Sequence, residues 1–178
     1  MNILVILGLL IIVSSTALYY CIIFNDLQHY KTRIELSENS IDENLRKKYD
    51  LICELNIDIK KLDNDKDYLK DYIDVKDVRH TNFDFDRKLI ETITFIHELQ
   101  QDHSELNNKN FNKILKEIKL IDENLIASKN FYNKNTSFLN ELVRCFPNNI
   151  VARNHNFKIK PFFDNKNMQD IVIDDFKL

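Results

Sequence analysis

This chain is predicted to be all-α, an elongated antiparallel helical bundle following an N-terminal transmembrane helix, and three observations predict it. An uncharged apolar run opens the chain, both helix-breaking residue types are missing from the long middle stretch, and apolar residues there recur at steps of three and four. The run is Ile3 to Phe24, 22 residues without one charged side chain. At about 1.5 Å per residue, a helix of that length crosses the roughly 30 Å hydrocarbon core of a bilayer. The single glycine, Gly8, lies inside this run, and the two prolines, Pro147 and Pro161, lie near the C-terminus. Between Phe24 and Phe146 there is neither, which favours long uninterrupted helices over sheets that need tight turns.

The apolar run reads as a retained anchor. A signal peptide carries a basic n-region, a short apolar core and a small-residue cleavage site. Here no Lys or Arg precedes the run, the apolar stretch is too long, and Thr16-Ala17-Leu18 is followed by more apolar residues. Lipidation at Cys21 would need a small residue before it, and Tyr20 is large. Tyr19, Tyr20 and Phe24 at the far end suit an aromatic interfacial belt. Lys31, Arg33 and then Arg46-Lys47-Lys48 follow the span, with only the amino terminus before it. The basic side, and with it the long domain of this single-pass protein, is expected in the cytoplasm. The expected organisation is an anchor over 1–24, a helical bundle over 25–163 and a C-terminal tail over 164–178.

The first helix beyond the anchor follows from Tyr30, Ile34, Ile41, Leu45, Tyr49, Ile52, Leu55, Ile59, Leu62, Leu69 and Ile73. Their separations are mostly three, four or sums of these, one continuous buried stripe. The stripe predicts a helix to about residue 77 that can continue from the membrane span without a break. A turn is expected at His80-Thr81-Asn82. The next stripe, Phe85, Leu89, Ile93, Ile96 and Leu99, predicts a helix from Asp84 to Asp102, with Asp84 or Asn82 as cap. The polar run His103 to Asn110 breaks it, and Asn110 is the expected next cap. The third helix carries Phe111, Ile114, Ile118, Leu125, Tyr132, Leu139 and Val143 and stops before Pro147. None of these helices can cover its own stripe, whereas three packed antiparallel can. A further short helix is expected between Asn149 and Phe163. Ile171-Val172-Ile173 has no strand partner, so the end of the chain is expected to be a docked segment or an unstructured tail.

Composition excludes several function classes. Charged residues are 30% of the chain and the net charge is -3, with signs interspersed, so no basic face points to nucleic acid. Cys21, Cys53 and Cys145 are odd in number and far apart, which predicts buried thiols rather than a disulfide scaffold. Without a glycine beyond the anchor there is no phosphate-cradling loop or nucleophile elbow. His97-Glu98 begins like a zinc-protease motif, but Gln101 occupies the second histidine's position. His97 and His103 are about 120° apart around a helix and cannot clamp one ion unaided. No catalytic, cofactor-binding or metal residue is expected, and no cofactor.

Several blocks carry a family likeness. Phe24-Asn25-Asp26-Leu27 and Arg33-Ile34 are followed by Ile41-Asp42-Glu43-Asn44-Leu45-Arg46-Lys47-Lys48-Tyr49-Asp50-Leu51-Ile52-Cys53-Glu54-Leu55. Asn110-Phe111, Phe131-Tyr132-Asn133, Leu139-Asn140 and Phe146-Pro147-Asn148-Asn149 come later, then Phe157 and Phe162-Phe163. In order and spacing the chain resembles the LemA family of membrane-anchored helical proteins over about residues 24–163. The resemblance implies a helical bundle on an N-terminal anchor and implies no particular activity. Where the family pattern has Pro-Asn, this chain has Cys53-Glu54, so its first helix should run straighter through residue 53. The family's Tyr-Pro-Asp-Leu before the third helix is missing around His103.

Two groups of residues stand out as candidate sites. Asn25, Asn133 and Asn140 follow aromatic or apolar residues and are candidates for interhelical polar contacts, because a buried amide costs stability unless bonded and fixes register when bonded. Arg46, Lys47 and Lys48 form a candidate interaction patch. The competing account of this patch is a solvated helix face carrying i,i+4 pairs such as Asp42 with Arg46. The expected function is non-enzymatic: a helical scaffold or protein-interaction module held to the lipid bilayer through residues 3–24. Its expected partner is a membrane or peripheral protein, or a second copy in a homo-oligomer. The alternative is a regulatory subunit or accessory factor of a membrane-associated enzyme.

Overall fold

The structure, a computed structural model, describes residues 3–61, 68–70 and 82–163. It contains α1 (Ile3–Lys60), α2 (Asn82–Asp102), a 3-10 turn (Ser104–Leu106), α3 (Lys109–Arg144) and α4 (Asn148–Asn154). Every regular element among the described residues is helical, as the spacing of apolar residues predicts.

α1 is one uninterrupted helix of 58 residues. It passes through Cys53-Glu54 without a break, as expected where proline is absent. Its N-terminal part is apolar enough to cross a membrane: the most hydrophobic 18-residue window has mean hydropathy 2.3, and none of it is buried within the chain. A core helix of a water-soluble protein would be covered by its neighbours, and this one is bare. Its hydroxyls are satisfied within the helix. Ser14 Oγ donates to the Leu10 carbonyl and Thr16 Oγ1 to the Ile12 carbonyl, both at 2.8 Å. That removes the cost of placing these donors in hydrocarbon.

Beyond the bare segment, α1 turns one stripe inward. Ile23, Leu27, Ile34, Ser37, Ile41, Leu45, Lys48, Ile52, Leu55 and Ile59 are all buried. The chain forms two compact units, one of Met1–Leu36 with Tyr132–Phe162, the other of Ser37–Phe131 with Phe163–Leu178. In the first, Ile23, Leu27 and Ile34 of α1 are buried together with Tyr132 and Leu139 of α3 and Val151 and Ala152 of α4. Tyr30 stacks on Phe138 with ring centroids 5.3 Å apart.

In the second unit three helices share a core that includes Leu45, Ile52, Leu89, Ile96, Phe111, Ile118 and Leu125. Their directions follow from paired contacts. Ser40 meets Ser128 and Lys48 meets Asp122, so α1 and α3 run antiparallel. Asp86 meets Lys129 and Gln100 meets Asn112, so α2 and α3 also run antiparallel. It follows that α1 and α2 run parallel to each other, each antiparallel to α3, within the antiparallel bundle that the sequence predicts. Consistent with this, Phe85 near the start of α2 packs on Tyr49, well before the end of α1.

The ends of the helices show differences from expectation. α2 begins at Asn82, two residues before the expected start at Asp84. Asn108, rather than Asn110, caps α3, its Oδ1 accepting the Phe111 amide at 2.9 Å. Asn110 lies inside the helix. Both residues are exposed asparagines in one polar run, and only the direction of the incoming backbone separates them. α4 is the expected extra short helix. It closes with the Asn156 amide on the Arg153 carbonyl and the Phe157 amide on the Ala152 carbonyl, Asn156 having φ 57°. This is a Schellman closure with asparagine in the left-handed position that glycine usually takes. Cys21 and Cys145 are exposed and Cys53 half-buried, so the expected burial of the thiols does not hold. The predicted turn at His80-Thr81, the stripe positions Leu62 and Ile73, and the tail from 164 lie outside the described residues.

Candidate functional site

The polar residues of the second unit are organised by charges on the buried stripes. Lys48 is 1% exposed, and its Nζ lies 2.6 Å from Asp122 Oδ1 of α3. Asp86 of α2 is buried, and its Oδ2 lies 2.6 Å from Lys129 Nζ of α3. The Lys129 ammonium also stands 5.2 Å from the centre of the Phe163 ring, which packs edge-on against Phe83. Each of the two pairs ties α3 to a different helix.

Asp122 connects this interior to the surface. It borders an open groove between α2 and α3 of about 590 Å³, lined also by His97, Gln100, Asn112, Lys116 and Lys119, with Ile93, Leu115 and Ile118 beneath them. At one end the Gln100 side-chain amide donates to the Asn107 and Asn112 side-chain oxygens, both at 3.0 Å. The groove combines lysine donors, a carboxylate and an apolar floor without enclosing a volume.

The candidate patch is divided by the fold. Arg46 and Lys47 are exposed and pair within α1, Arg46 Nε to Asp42 Oδ2 at 2.8 Å and Lys47 Nζ to Glu43 Oε1 at 2.6 Å. The hydrogen bond to Asp42 and its negative charge raise the Arg46 pKa above its ordinary value. Lys48 points the other way, into the core. The three side chains therefore share no surface. The signal was in the spacing: Ile41, Leu45, Lys48, Ile52, Leu55 and Ile59 step by four and three, with Lys48 on a core position. Asp86, Asp122 and Lys129 fall on the stripes of their own helices in the same way, and reading charge as exposure concealed them.

The three asparagines occupy different surroundings. Asn25 is exposed on α1, and Asn133 is half-buried on α3. Asn140 is buried, and both ends of its amide engage one residue: Nδ2 donates to the Lys160 carbonyl and Oδ1 accepts the Lys160 amide, each at 2.8 Å. Beside it Tyr132 Oη donates to the Pro161 carbonyl at 3.0 Å. Asn140 thus fastens α3 to the extended segment after α4, not to another helix. An extended segment has free amides and carbonyls to offer, whereas those of a helix are already used.

A second cluster, missed as a site by sequence, stands in the first unit where the apolar run ends. Tyr19 Oη donates to Asn148 Oδ1 at 3.4 Å, and Tyr20 Oη bonds His155 Nε2 at 2.8 Å. The Phe24 ring lies 4.5 Å from the His155 ring and 6.4 Å from that of Phe157. The aromatic belt of the span is therefore a contact surface for α4 and its exit.

No curated protein and no solved structure matches the chain. The sequence model of the LemA family matches residues 37–174. That range takes in the second unit's part of α1, all of α2, α3 and α4, and the Ile41 to Leu55 and Phe146 to Asn149 blocks, while the Phe24-Asn25-Asp26-Leu27 and Arg33-Ile34 likenesses precede it. With most of its length matched, and with a membrane-associated helical architecture of the expected kind, the chain belongs to the LemA family.

Proposed function

We propose that this protein is a non-enzymatic, membrane-anchored helical scaffold that offers its bundle, on the cytoplasmic side, to another membrane or peripheral protein. The observation that carries the reading is the continuity of α1. The same helix supplies the apolar span and a buried stripe of the bundle, so whatever binds the bundle is tethered to the bilayer. The α2–α3 groove is the docking surface this reading favours, because its Lys116, Lys119 and Asp122 can pair with charged side chains over an apolar floor. Self-association is the version of the same reading in which the partner is a second copy.

Crosslinking of the full-length protein in intact membranes, from photoreactive residues placed at Lys116 and at Lys119, tests it. A discrete captured protein, or a homodimer, is the expected result. Capture of neither with both positions counts against the scaffold. Protease digestion of sealed cells checks the side: protection of the C-terminal region from external protease is expected, and its loss refutes the cytoplasmic placement. The rival reading, an accessory factor of a membrane-bound enzyme, predicts that the captured partner is an enzyme whose activity changes when this chain is removed.

A further inference from the structure

We propose that the corner joining α3 to α4 is a second membrane contact, inserting Phe146 and Ile150 into the headgroup and acyl boundary of the bilayer that α1 crosses. The inference rests on anchoring by α1 and is independent of the scaffold reading.

Its starting point is an apparent misplacement of apolar surface. Phe146 is 79% exposed and Ile150 52% exposed, on a short corner whose other apolar residues, Val151 and Ala152, are buried. Burial of those two leaves α4 with a sound inner face, so the outer pair is not a core left open. What faces them is indicated by the neighbours. The bonds from Tyr19 to Asn148 and from Tyr20 to His155 hold α4 beside residues 19 and 20 of α1. Those tyrosines belong to the uncharged run that ends at Phe24. Counting from Ile3, about 20 helical residues fill a 30 Å hydrocarbon core, so Tyr19 and Tyr20 stand at its edge. A helix bonded to them stands there too.

The charges agree with that depth. From Asn140 to Lys160 the chain carries Arg144, Arg153, Lys158 and Lys160 against one acidic residue, Glu141. Arg144, Arg153 and Lys158 are exposed. Basic side chains flanking exposed Phe and Ile are the composition of an interfacial element, with the apolar groups immersed and the cations among anionic headgroups. A protein partner would have to reach this corner through the headgroup layer, whereas lipid is already present there.

The chain contains no tryptophan, so Phe146→Trp introduces a single reporter. The full-length variant is reconstituted in vesicles of zwitterionic and anionic phospholipid containing acyl chains brominated at shallow or at deep positions. Leu10→Trp in the span and Leu36→Trp, an exposed site further along α1, are measured in parallel. Blue-shifted emission from Phe146→Trp, quenched more strongly by shallow than by deep bromines and shielded from aqueous iodide, is expected. Leu10→Trp should be quenched by deep bromines, and Leu36→Trp by iodide alone. Iodide quenching of Phe146→Trp equal to that of Leu36→Trp, with Leu10→Trp still in the lipid, overturns the contact while leaving the anchor intact. Blue-shifted emission without bromine quenching means that protein, such as a second copy, covers the corner, and overturns it equally. An unquenched Leu10→Trp removes the anchor and this proposal with it. Ile150→Trp repeats the test should Phe146→Trp misfold.

Discussion

The two units of this chain are fastened by different chemistry. In the unit that contains the apolar run, neutral cross-contacts include the Tyr30–Phe138 stack, the Tyr132 hydroxyl on the Pro161 carbonyl, the paired bonds of Asn140 with Lys160, and Tyr20 with His155. In the other unit, α3 is tied to α1 and α2 by the ion pairs Lys48–Asp122 and Lys129–Asp86. Both solutions meet the same requirement, since a buried polar group must find a partner. They differ in what happens when the partner is lost. A neutral group left unpaired costs about 1–3 kcal/mol, whereas a charge left alone in a core costs more. Loss of a partner is therefore expected to cost less at these neutral contacts than at the ion pairs.

The largest effect should come from the ion pairs. Asp86→Ala leaves the largely buried Lys129 ammonium without its carboxylate and is expected to destabilise the protein by about 3–5 kcal/mol. Thermal unfolding of the detergent-solubilised protein measures this. Asp86→Leu combined with Lys129→Met should recover most of the loss, because a matched apolar pair removes both desolvation costs. If the double variant is as damaged as the single one, the pair is not the fastening described.

Asn140→Ala comes next, at about 1.5–3 kcal/mol for two bonds to backbone groups that have no ready substitute. Its signature is local. Hydrogen exchange at the Lys160 amide should accelerate strongly, while amides of α2 keep their protection. Uniform acceleration across both units would contradict the separateness of the two fastenings.

The Tyr30–Phe138 stack should show a coupling of about 0.5–1.5 kcal/mol in a double-mutant cycle to alanine. That coupling should be indifferent to salt. The smallest effect is expected at the patch that sequence singled out. Arg46→Ala removes only an exposed pair within one helix, and no measurable change in the unfolding midpoint should follow. A clear loss there would mean that Arg46 has a partner beyond Asp42.

How far the sequence could be read depended on the range of each interaction. The anchor, the long first helix, α2, α3 and the short α4 were legible because apolar spacing, missing breakers and Pro147 act locally on the backbone. The division of Arg46 and Lys47 from Lys48 was half legible: the four-and-three step placed Lys48 inward, yet its charge argued for solvent. Asp122, 74 residues away, makes that burial tolerable, and no local pattern announces it. Asn140 is buried, but its partner, Lys160 of the extended segment, could not be chosen from periodicity.

By itself the sequence determined that this chain is helical and has a span able to enter a membrane, because helix formation and transfer into lipid are sums over neighbouring residues. The tertiary structure alone decided that α2 runs parallel to α1, that Lys48 and Asp86 enter a core beside opposite charges, and that α4 meets the tyrosines at the end of the span. Each of those outcomes depends on the meeting of residues distant in the chain, where the desolvation of one group is offset only by the position of another.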